Sequence, residues 1–108
     1  MTETHFEAFI HCITDKDFVE ERKQEYYEKE LKPSVDKIIE EVKQNYYLEA
    51  FEGCLIALVQ LPCLTDEEAK RKTALTITRA YTNGLITAEE SQRLMETRRR
   101  VLKKYRNI

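Results

Sequence analysis

The strongest pattern along the chain is an apolar run near its middle. Residues 46–62 read YYLEAFEGCLIALVQLP, and only Glu49 and Glu52 in this run carry charge. A helix that is apolar around most of its circumference has no side to leave in water, so neighbouring helices should surround it. The run therefore predicts the central helix of a small bundle, ended by Pro62. For Gly53 we favour close approach of a neighbouring helix over the alternative, a bend in the helix.

Helical periodicity continues before this run. The spacing of Phe6, Phe9, Ile10 and Ile13 predicts a short N-terminal helix. A charged stretch with a thin apolar stripe predicts a second, outer helix over 17–30, with cap chemistry at Thr14 and Asp15 before it. Pro33 leaves two alternatives for the chain beyond this helix, a short break or one long kinked helix, and we favour the break because a compact domain requires the chain to reverse.

The third helix and the last two helices have clear signals of their own. An apolar face predicts a third helix that can continue without interruption into the central run, and this face consists of Val35, Ile38, Ile39 and Val42. Two capping boxes predict the starts of the last two helices, at Thr65 with Glu68 and at Thr87 with Glu90. Between them, Gly84 should end the fourth helix in a left-handed conformation, with Leu85 folding back toward Ala80. The last helix should run to about Tyr105, and its inward residues should be Leu94, Met95, Val101, Leu102 and Tyr105.

Composition narrows the fold class. The chain has 108 residues, which suits one domain, and only 2 Gly and 2 Pro, too few for the many tight turns of a sandwich or barrel. We therefore predict an all-α fold, a single compact bundle of four to five helices formed by residues 1–108.

The cysteines and the apolar runs predict a soluble, cytoplasmic protein. Cys12, Cys54 and Cys63 are odd in number and unrelated in spacing, so we expect three free thiols and a reducing compartment. We find no secretion signal at the N-terminus. The apolar stretch over 53–61 is far shorter than the ~20 residues that a membrane span needs, so no membrane association is predicted.

Residues with catalytic or metal-binding chemistry are few. The two histidines, His5 and His11, form no HxxxH, HExxH or CxxC spacing with the cysteines. Cys12 follows His11 directly, and adjacent helix residues point about 100° apart, so the imidazole should not activate the thiol. Gly53 and Gly84 are too far apart for a phosphate-binding loop. We expect no enzyme activity, no cofactor and no metal site.

Charge is distributed unevenly between the two parts of the chain. Residues 1–64 carry 14 acidic and 7 basic side chains, whereas residues 65–108 carry 6 acidic and 11 basic. Two interpretations stay open: the basic C-terminal helix complements the acidic helices within the fold, or it binds phosphates or an acidic protein. We expect Arg98, beside the apolar stripe, to pair with a carboxylate of the acidic helices. The candidate partner-binding cations are Arg93, Arg99, Arg100, Lys103, Lys104 and Arg106.

Two tyrosine pairs complete the set of candidate partner-binding residues. Tyr26 and Tyr27 are consecutive, as are Tyr46 and Tyr47. Consecutive residues of a helix cannot both face one core, so at least one of each pair should lie at the edge of the bundle. Tyrosine is favoured at interfaces because it combines an apolar ring with a polar hydroxyl.

These observations predict a small non-enzymatic protein-interaction module, such as an adaptor, an inhibitor or an immunity-type regulator, that acts through a helical face. The alternative is a nucleic-acid-binding protein that uses the C-terminal basic helix. Sequence-specific reading of DNA is not expected, because that helix opens with Glu89 and Glu90, which would repel the phosphate backbone. Self-association is a further hypothesis, since the central run has more apolar surface than thin amphipathic helices readily cover. The sequence does not identify the partner.

Overall fold

Helices account for nearly all of the chain in the computed structural model, which describes residues 2–31 and 36–108. The α-helices in these residues are α1 (Thr2–Thr14), α2 (Lys16–Tyr26), α3 (Asp36–Gln60), α4 (Asp66–Thr82) and α5 (Ala88–Arg106). A π-helical turn over Tyr27–Leu31 follows α2 directly. The described residues form no strand. The predicted all-α bundle of four to five helices is confirmed.

The centre of the bundle is α3, a single helix of 25 residues. It joins the predicted third helix and the apolar central run without interruption. Three helices, α2, α4 and α5, pack along α3, while α1 packs against α2 and α4 and also contacts α3 through Phe6 and Ile13. Phe51 and Leu55 of α3 are fully buried, and around them lie Val19 of α2, Ile77 of α4 and Leu94 of α5.

The prediction that neighbours surround the central run is wrong for one side of α3. Ala50, Gly53 and Ala57 are exposed and lie on one side of the helix, together with Tyr46. A Cβ atom added to Gly53 would meet nothing within 4 Å, so no helix of the described residues makes the close approach expected there. Apart from Tyr46, the apolar residues on this side are small, so their exposure leaves little apolar surface in water.

The ends of the helices follow the predicted local signals. Asp15 caps α2 by accepting a hydrogen bond from the Phe18 amide at 3.0 Å. Both capping boxes are complete, with reciprocal hydrogen bonds between Thr65 and Glu68 and between Thr87 and Glu90. After α4, Gly84 has a φ of 75°, and the Leu85 amide donates to the Ala80 carbonyl at 3.0 Å. These reciprocal bonds satisfy backbone groups that a helix end otherwise leaves without a partner.

Helical periodicity predicted the burial of side chains less accurately near the helix ends. Ile38 is 57% exposed and Tyr105 is 41% exposed, although both were predicted to face inward. Ile38 lies in the first turn of α3 and Tyr105 in the last turn of α5, where a stripe can run past its neighbours. Pro33 lies outside the described residues, as does the predicted choice between a break and a kink. The helices on either side of it, α2 and α3, pack side by side.

The described helices also bear on the question of a membrane. None of the helices within 2–31 and 36–108 combines the length and the apolar character that a membrane-spanning segment requires.

One polar side chain in the interior connects four parts of the fold. Gln44 of α3 accepts a hydrogen bond from the Lys23 ammonium of α2 at 2.7 Å. Its amide nitrogen donates to the Leu85 carbonyl in the α4–α5 turn at 2.9 Å and to Glu90 of α5 at 3.1 Å. Burial lowers the pKa of Lys23, and its ammonium lies 5.0 Å from the centre of the Tyr47 ring. Sequence periodicity gave no sign of this link, because Gln44 looks like any polar residue of a helix.

We expect Gln44→Ala to lower the free energy of unfolding by about 1–3 kcal/mol, because Lys23 and the Leu85 carbonyl both lose a partner. Urea denaturation followed by circular dichroism measures the change. The matched control is Asn45→Ala, which truncates the exposed neighbour. Equal midpoints for the two variants would contradict a structural role for Gln44.

Candidate interaction surfaces

The packing of α2 against α3, next to the end of α1, leaves a groove rich in aromatic side chains. Its volume is about 200 Å³, and we call it the aromatic groove; its lining residues are Ile13, Phe18, Val19, Arg22, Lys23, Tyr46, Tyr47 and Ala50. Val19 and Tyr47 form a buried floor, whereas Phe18 and Tyr46 are 37% and 42% exposed at the two rims. Two large aromatic rings are therefore held at the surface over an apolar floor.

The Tyr47 side chain is part of the buried core and is not exposed for binding. Its hydroxyl donates a hydrogen bond to the Ile13 carbonyl at 2.9 Å, and its ring meets the ring of Phe51 edge-on, with centroids 5.8 Å apart. Burial raises the pKa of Tyr47, so the phenol stays neutral under ordinary conditions. These contacts fix the floor of the groove in one conformation.

The other three candidate tyrosines lie along the same seam between α2 and α3. The rings of Tyr26 and Tyr46 stack with centroids 4.1 Å apart and an angle of 9° between their planes. Tyr27 is half-buried, with the Lys43 ammonium 4.8 Å from its ring centre. Among the four, Tyr46 is the exposed one, and stacking on Tyr26 holds its ring at the rim.

The groove offers a partner one accessible charge. The guanidinium of Arg22 lies 5.2 Å from the centre of the Phe18 ring and 3.3 Å from a carboxylate oxygen of Glu25. The Arg22 side chain is 62% exposed, and such exposed ion pairs contribute little to stability. Lys23, the other cation in the lining, is directed inward to Gln44. Arg22 is therefore the charge that an incoming group would meet.

The candidate cations of α5 form a second surface. We call it the basic face, and its exposed members are Arg93, Arg99, Arg100, Lys103 and Lys104. None of these five forms an ion pair with a carboxylate among the described residues. The helix packs against α3 and α4, while the acidic α2 packs against α1 and α3. The interpretation that the basic helix complements the acidic helices inside the fold stays a prediction, since Glu52 of α3 lines the same surface depression as Arg93 and Arg100 without forming an ion pair with them.

Two further arginines of α5 point into the fold. Arg98 donates to the Thr73 hydroxyl and to the Lys70 carbonyl, both at 2.9 Å. Its expected carboxylate partner is therefore wrong, since a hydroxyl and a backbone carbonyl of α4 take that place. Burial lowers the pKa of Arg98.

Arg106 closes the C-terminal end of α3. Its guanidinium donates to the carbonyls of Val59 at 2.7 Å, Leu61 at 2.6 Å and Leu64 at 2.8 Å, and to Asp66 at 3.0 Å. The side chain is only 11% exposed. Although the sequence placed Arg106 among the partner-binding cations, this guanidinium is occupied by the chain itself. The sequence contained one indication of this role. The last turn of α3 has no basic residue of its own to bind the free carbonyl groups there, so a cation from another helix can bind them.

The reactive side chains remain scattered. Among the side chains that the structure describes, those of residues 6–31 and 38–108, no group of three or more His, Cys, Asp and Glu is arranged to hold a metal ion. His11 pairs with Asp15 at 3.0 Å. Cys12 and Cys63 are exposed free thiols, and burial raises the pKa of the half-buried Cys54, which makes this thiol less reactive.

Comparisons with protein-family models, with curated proteins and with solved structures found no match to this chain.

Proposed function

We propose that this chain is a small protein-interaction module that receives a large apolar side chain of a partner protein in the aromatic groove. The observation that supports this proposal is the pair of exposed rings, Phe18 and Tyr46, over a buried floor. The groove's volume of about 200 Å³ is below the ~300–1,000 Å³ of typical small-molecule sites. A single anchoring side chain suits this size better than a cofactor does.

The lining also indicates the chemistry of the partner. Interfaces obtain most of their binding energy from a few apolar or aromatic anchors in preformed pockets. The floor is preformed, because the Tyr47 hydroxyl and the Lys23 ammonium are held by Ile13 and Gln44. A carboxylate near the anchor can reach Arg22 by displacing the weak Glu25 pair. The partner segment is thus an amphipathic helix with an apolar anchor and a neighbouring acidic residue.

The exposed side of α3 favours a helix as the partner segment. Ala50 lines the groove, and Gly53 and Ala57 continue from it along the same side of the helix. Open space around the Gly53 Cβ position lets a second backbone approach α3 closely. Such a module acts as an adaptor, an inhibitor or an immunity-type regulator, without catalysing a reaction itself.

Peptide-display selection against the purified protein tests this function. We expect the enriched peptides to share a large apolar residue with a carboxylate close by. They should bind the Ala50→Arg variant at least about 10-fold more weakly, because the new side chain closes the groove with a charge (about 1.4 kcal/mol). The matched control is Ala8→Arg on α1, which adds the same charge at an exposed alanine outside the lining.

Two outcomes would contradict the proposed function. One is enrichment of peptides without an apolar anchor. The other is equal affinity of the enriched peptides for the wild-type protein and for Ala50→Arg, with circular dichroism showing that both are folded.

Nucleic-acid binding through the basic face stays the second prediction. The five exposed cations support it, and it requires binding that weakens steeply with salt. At about 100° per residue, however, Glu96 projects between Arg99 with Lys103 on one side and Arg93 with Arg100 on the other. A carboxylate in the middle of the face opposes a phosphate backbone, so we favour a protein partner.

A further inference from the structure

The last residue position before the α4–α5 turn combines an asparagine with a following glycine. Of the three asparagines in the sequence, Asn45, Asn83 and Asn107, only Asn83 precedes a glycine. A backbone nitrogen can attack the side-chain carbonyl of the asparagine before it, and glycine hinders this attack least because it has no Cβ atom. The Asn83–Gly84 bond is therefore the place in this chain where an asparagine amide is most easily lost.

The reaction at such a bond has two steps, and water is its co-reactant. First, the Gly84 nitrogen loses its proton and forms a bond to Cγ of Asn83, while the bond from Cγ to the side-chain nitrogen breaks. The proton leaves with that nitrogen as ammonia, and a cyclic succinimide remains. Water then opens the ring at either carbonyl, which gives aspartate or isoaspartate. The rate rises with pH, because the attacking nitrogen must be deprotonated.

The backbone of the folded protein holds the two reacting groups apart. Asn83 has φ −82° and ψ 2°, and its amide donates to the Arg79 carbonyl at 2.9 Å, as in a further helical turn. With this ψ, the Gly84 nitrogen is eclipsed with the nitrogen of Asn83, whereas ring closure requires it to be eclipsed with Cβ. The Gly84 amide also donates to the Tyr81 carbonyl at 3.1 Å, which retains the proton that the reaction must remove.

The Asn83 side chain is fixed as well. Its amide nitrogen donates to the Thr14 carbonyl at 2.6 Å, across 69 positions of the chain. That carbonyl belongs to the last residue of α1, where a helix leaves carbonyls without partners of its own. The neighbouring carbonyl of Ile13 accepts from the Tyr47 hydroxyl. Asn83 and Tyr47 together thus attach the end of α1 to the rest of the bundle.

We infer that Asn83 is a site of spontaneous deamidation, which the fold slows and which in turn detaches the end of α1. The reaction proceeds in molecules in which the Thr14 contact and the end of α4 have opened, so its rate follows the population of this open form. The product has no amide hydrogen to donate to the Thr14 carbonyl. Isoaspartate also adds a methylene group to the backbone just before Gly84. Hydrolysis does not return the amide, so altered molecules accumulate with age.

The charged groups around Asn83 do not offset the lost contact. Asn83 lines a surface depression of about 370 Å³, whose ionisable lining residues are His11, Asp15, Lys16, Asp17 and Arg79. The new carboxylate would meet two carboxylates, two cations and a histidine that already pairs with Asp15, so it gains little net attraction. It would also lie at the C-terminal end of α4, where the helix dipole disfavours a negative charge.

Incubation of the purified protein in mildly alkaline buffer tests for the reaction. One sample is kept folded and another is kept unfolded in urea, and peptide mass spectrometry measures conversion at each asparagine over time. In the unfolded sample, Asn83 should convert ahead of Asn45 and Asn107. In the folded sample, conversion of Asn83 should be at least about 10-fold slower, which corresponds to an opening free energy of about 1.4 kcal/mol.

A conservative variant tests whether the end of α1 controls the rate. Tyr47→Phe keeps the buried ring and removes the hydrogen bond to the Ile13 carbonyl, so the folded variant should deamidate about 2–10-fold faster than the wild type. The matched control is Tyr46→Phe, which removes the hydroxyl of the exposed neighbour and should keep the wild-type rate.

Asn83→Asp reproduces one product and tests its consequence. It should unfold at a lower urea concentration than Thr82→Asp, because the control adds the same charge at an exposed neighbour in the last turn of α4 and retains the Thr14 contact.

Three outcomes would overturn the inference. The first is an equal rate of conversion at Asn83 in the folded and unfolded samples, or a folded protein with no conversion there over several months. The second is a Tyr47→Phe protein that deamidates at the rate of Tyr46→Phe. The third is a shared urea midpoint of Asn83→Asp and Thr82→Asp, which would show that the Thr14 contact does not hold α1 in place.

Discussion

Leu58→Asp should unfold the protein. Leu58 is 1% exposed and packs between Phe6 of α1 and Leu64, which follows α3. The substitution removes a buried leucine, worth about 1.5–3 kcal/mol, and places a carboxyl group where it has no partner. The combined cost is more than about 4 kcal/mol, against a total stability of about 5–15 kcal/mol for a domain of this kind. Far-UV circular dichroism and the dispersion of amide resonances measure the loss.

The neighbouring residue provides a matched control for this prediction. Ala57 is exposed on the same helix, so Ala57→Asp introduces the same carboxylate with a change in stability of no more than about 0.5 kcal/mol. A folded Leu58→Asp protein with the midpoint of Ala57→Asp would show that the packing of α1 on the end of α3 does not hold the bundle together.

The parts of the fold that could be predicted are those that depend on residues close together in the chain. The capping box at Thr65 and Glu68 needs two side chains three positions apart, and the turn at Gly84 needs one residue that tolerates a positive φ. The apolar run after Tyr46 likewise identified the central helix and its buried residues. Each of these signals lies within one or two helical turns, so no knowledge of packing is required to interpret it.

The exposed side of α3 shows that hydrophobic periodicity alone does not determine which apolar residues are buried. The apolar pattern indicates which residues can be buried. The number of helices packed around α3 then decides which of these residues are buried in the structure. Gly53 and Ala57 count as apolar in a hydropathy pattern and still lie in water, because no described helix covers them. Tyr105 was placed inward on the same reasoning, yet it is exposed in the last turn of α5.

The candidate surfaces were predictable in composition but not in geometry. The tyrosines and the basic residues were identifiable by type, whereas the groove exists only because Phe18 of α2 meets Tyr46 of α3 across a packed interface. The links made by Gln44 and Arg106 join residues more than twenty positions apart in the chain. Only the relative placement of helices can reveal such pairs. It shows that two cations of α5, Arg98 and Arg106, are structural, whereas the other five lie on the surface.

Arg106→Ala should lower the free energy of unfolding by about 2–4 kcal/mol. The guanidinium satisfies three carbonyls at the end of α3, those of Val59, Leu61 and Leu64, and hydrogen bonds to a charged donor contribute about 1.5–3 kcal/mol each. Water can replace part of this loss, because the site lies at the surface end of the helix, so the total stays below the sum of three bonds. Urea denaturation measures the shift in midpoint, and the unchanged slope verifies that unfolding remains two-state.

Two further variants separate the shape of the arginine from its charge. Lys103→Ala removes an exposed cation from the same end of α5 and should change stability by no more than about 0.5 kcal/mol. Arg106→Lys keeps the charge but loses the planar fork that reaches several carbonyls at once, so it should recover less than half of the loss. If Arg106 instead served a partner, as the sequence alone suggested, Arg106→Ala would keep the wild-type midpoint and weaken binding only. If Arg106→Ala and Lys103→Ala unfold at the same urea concentration, Arg106 belongs to the basic face. If Arg106→Ala unfolds at a much lower urea concentration than Lys103→Ala, Arg106 stabilises the end of α3.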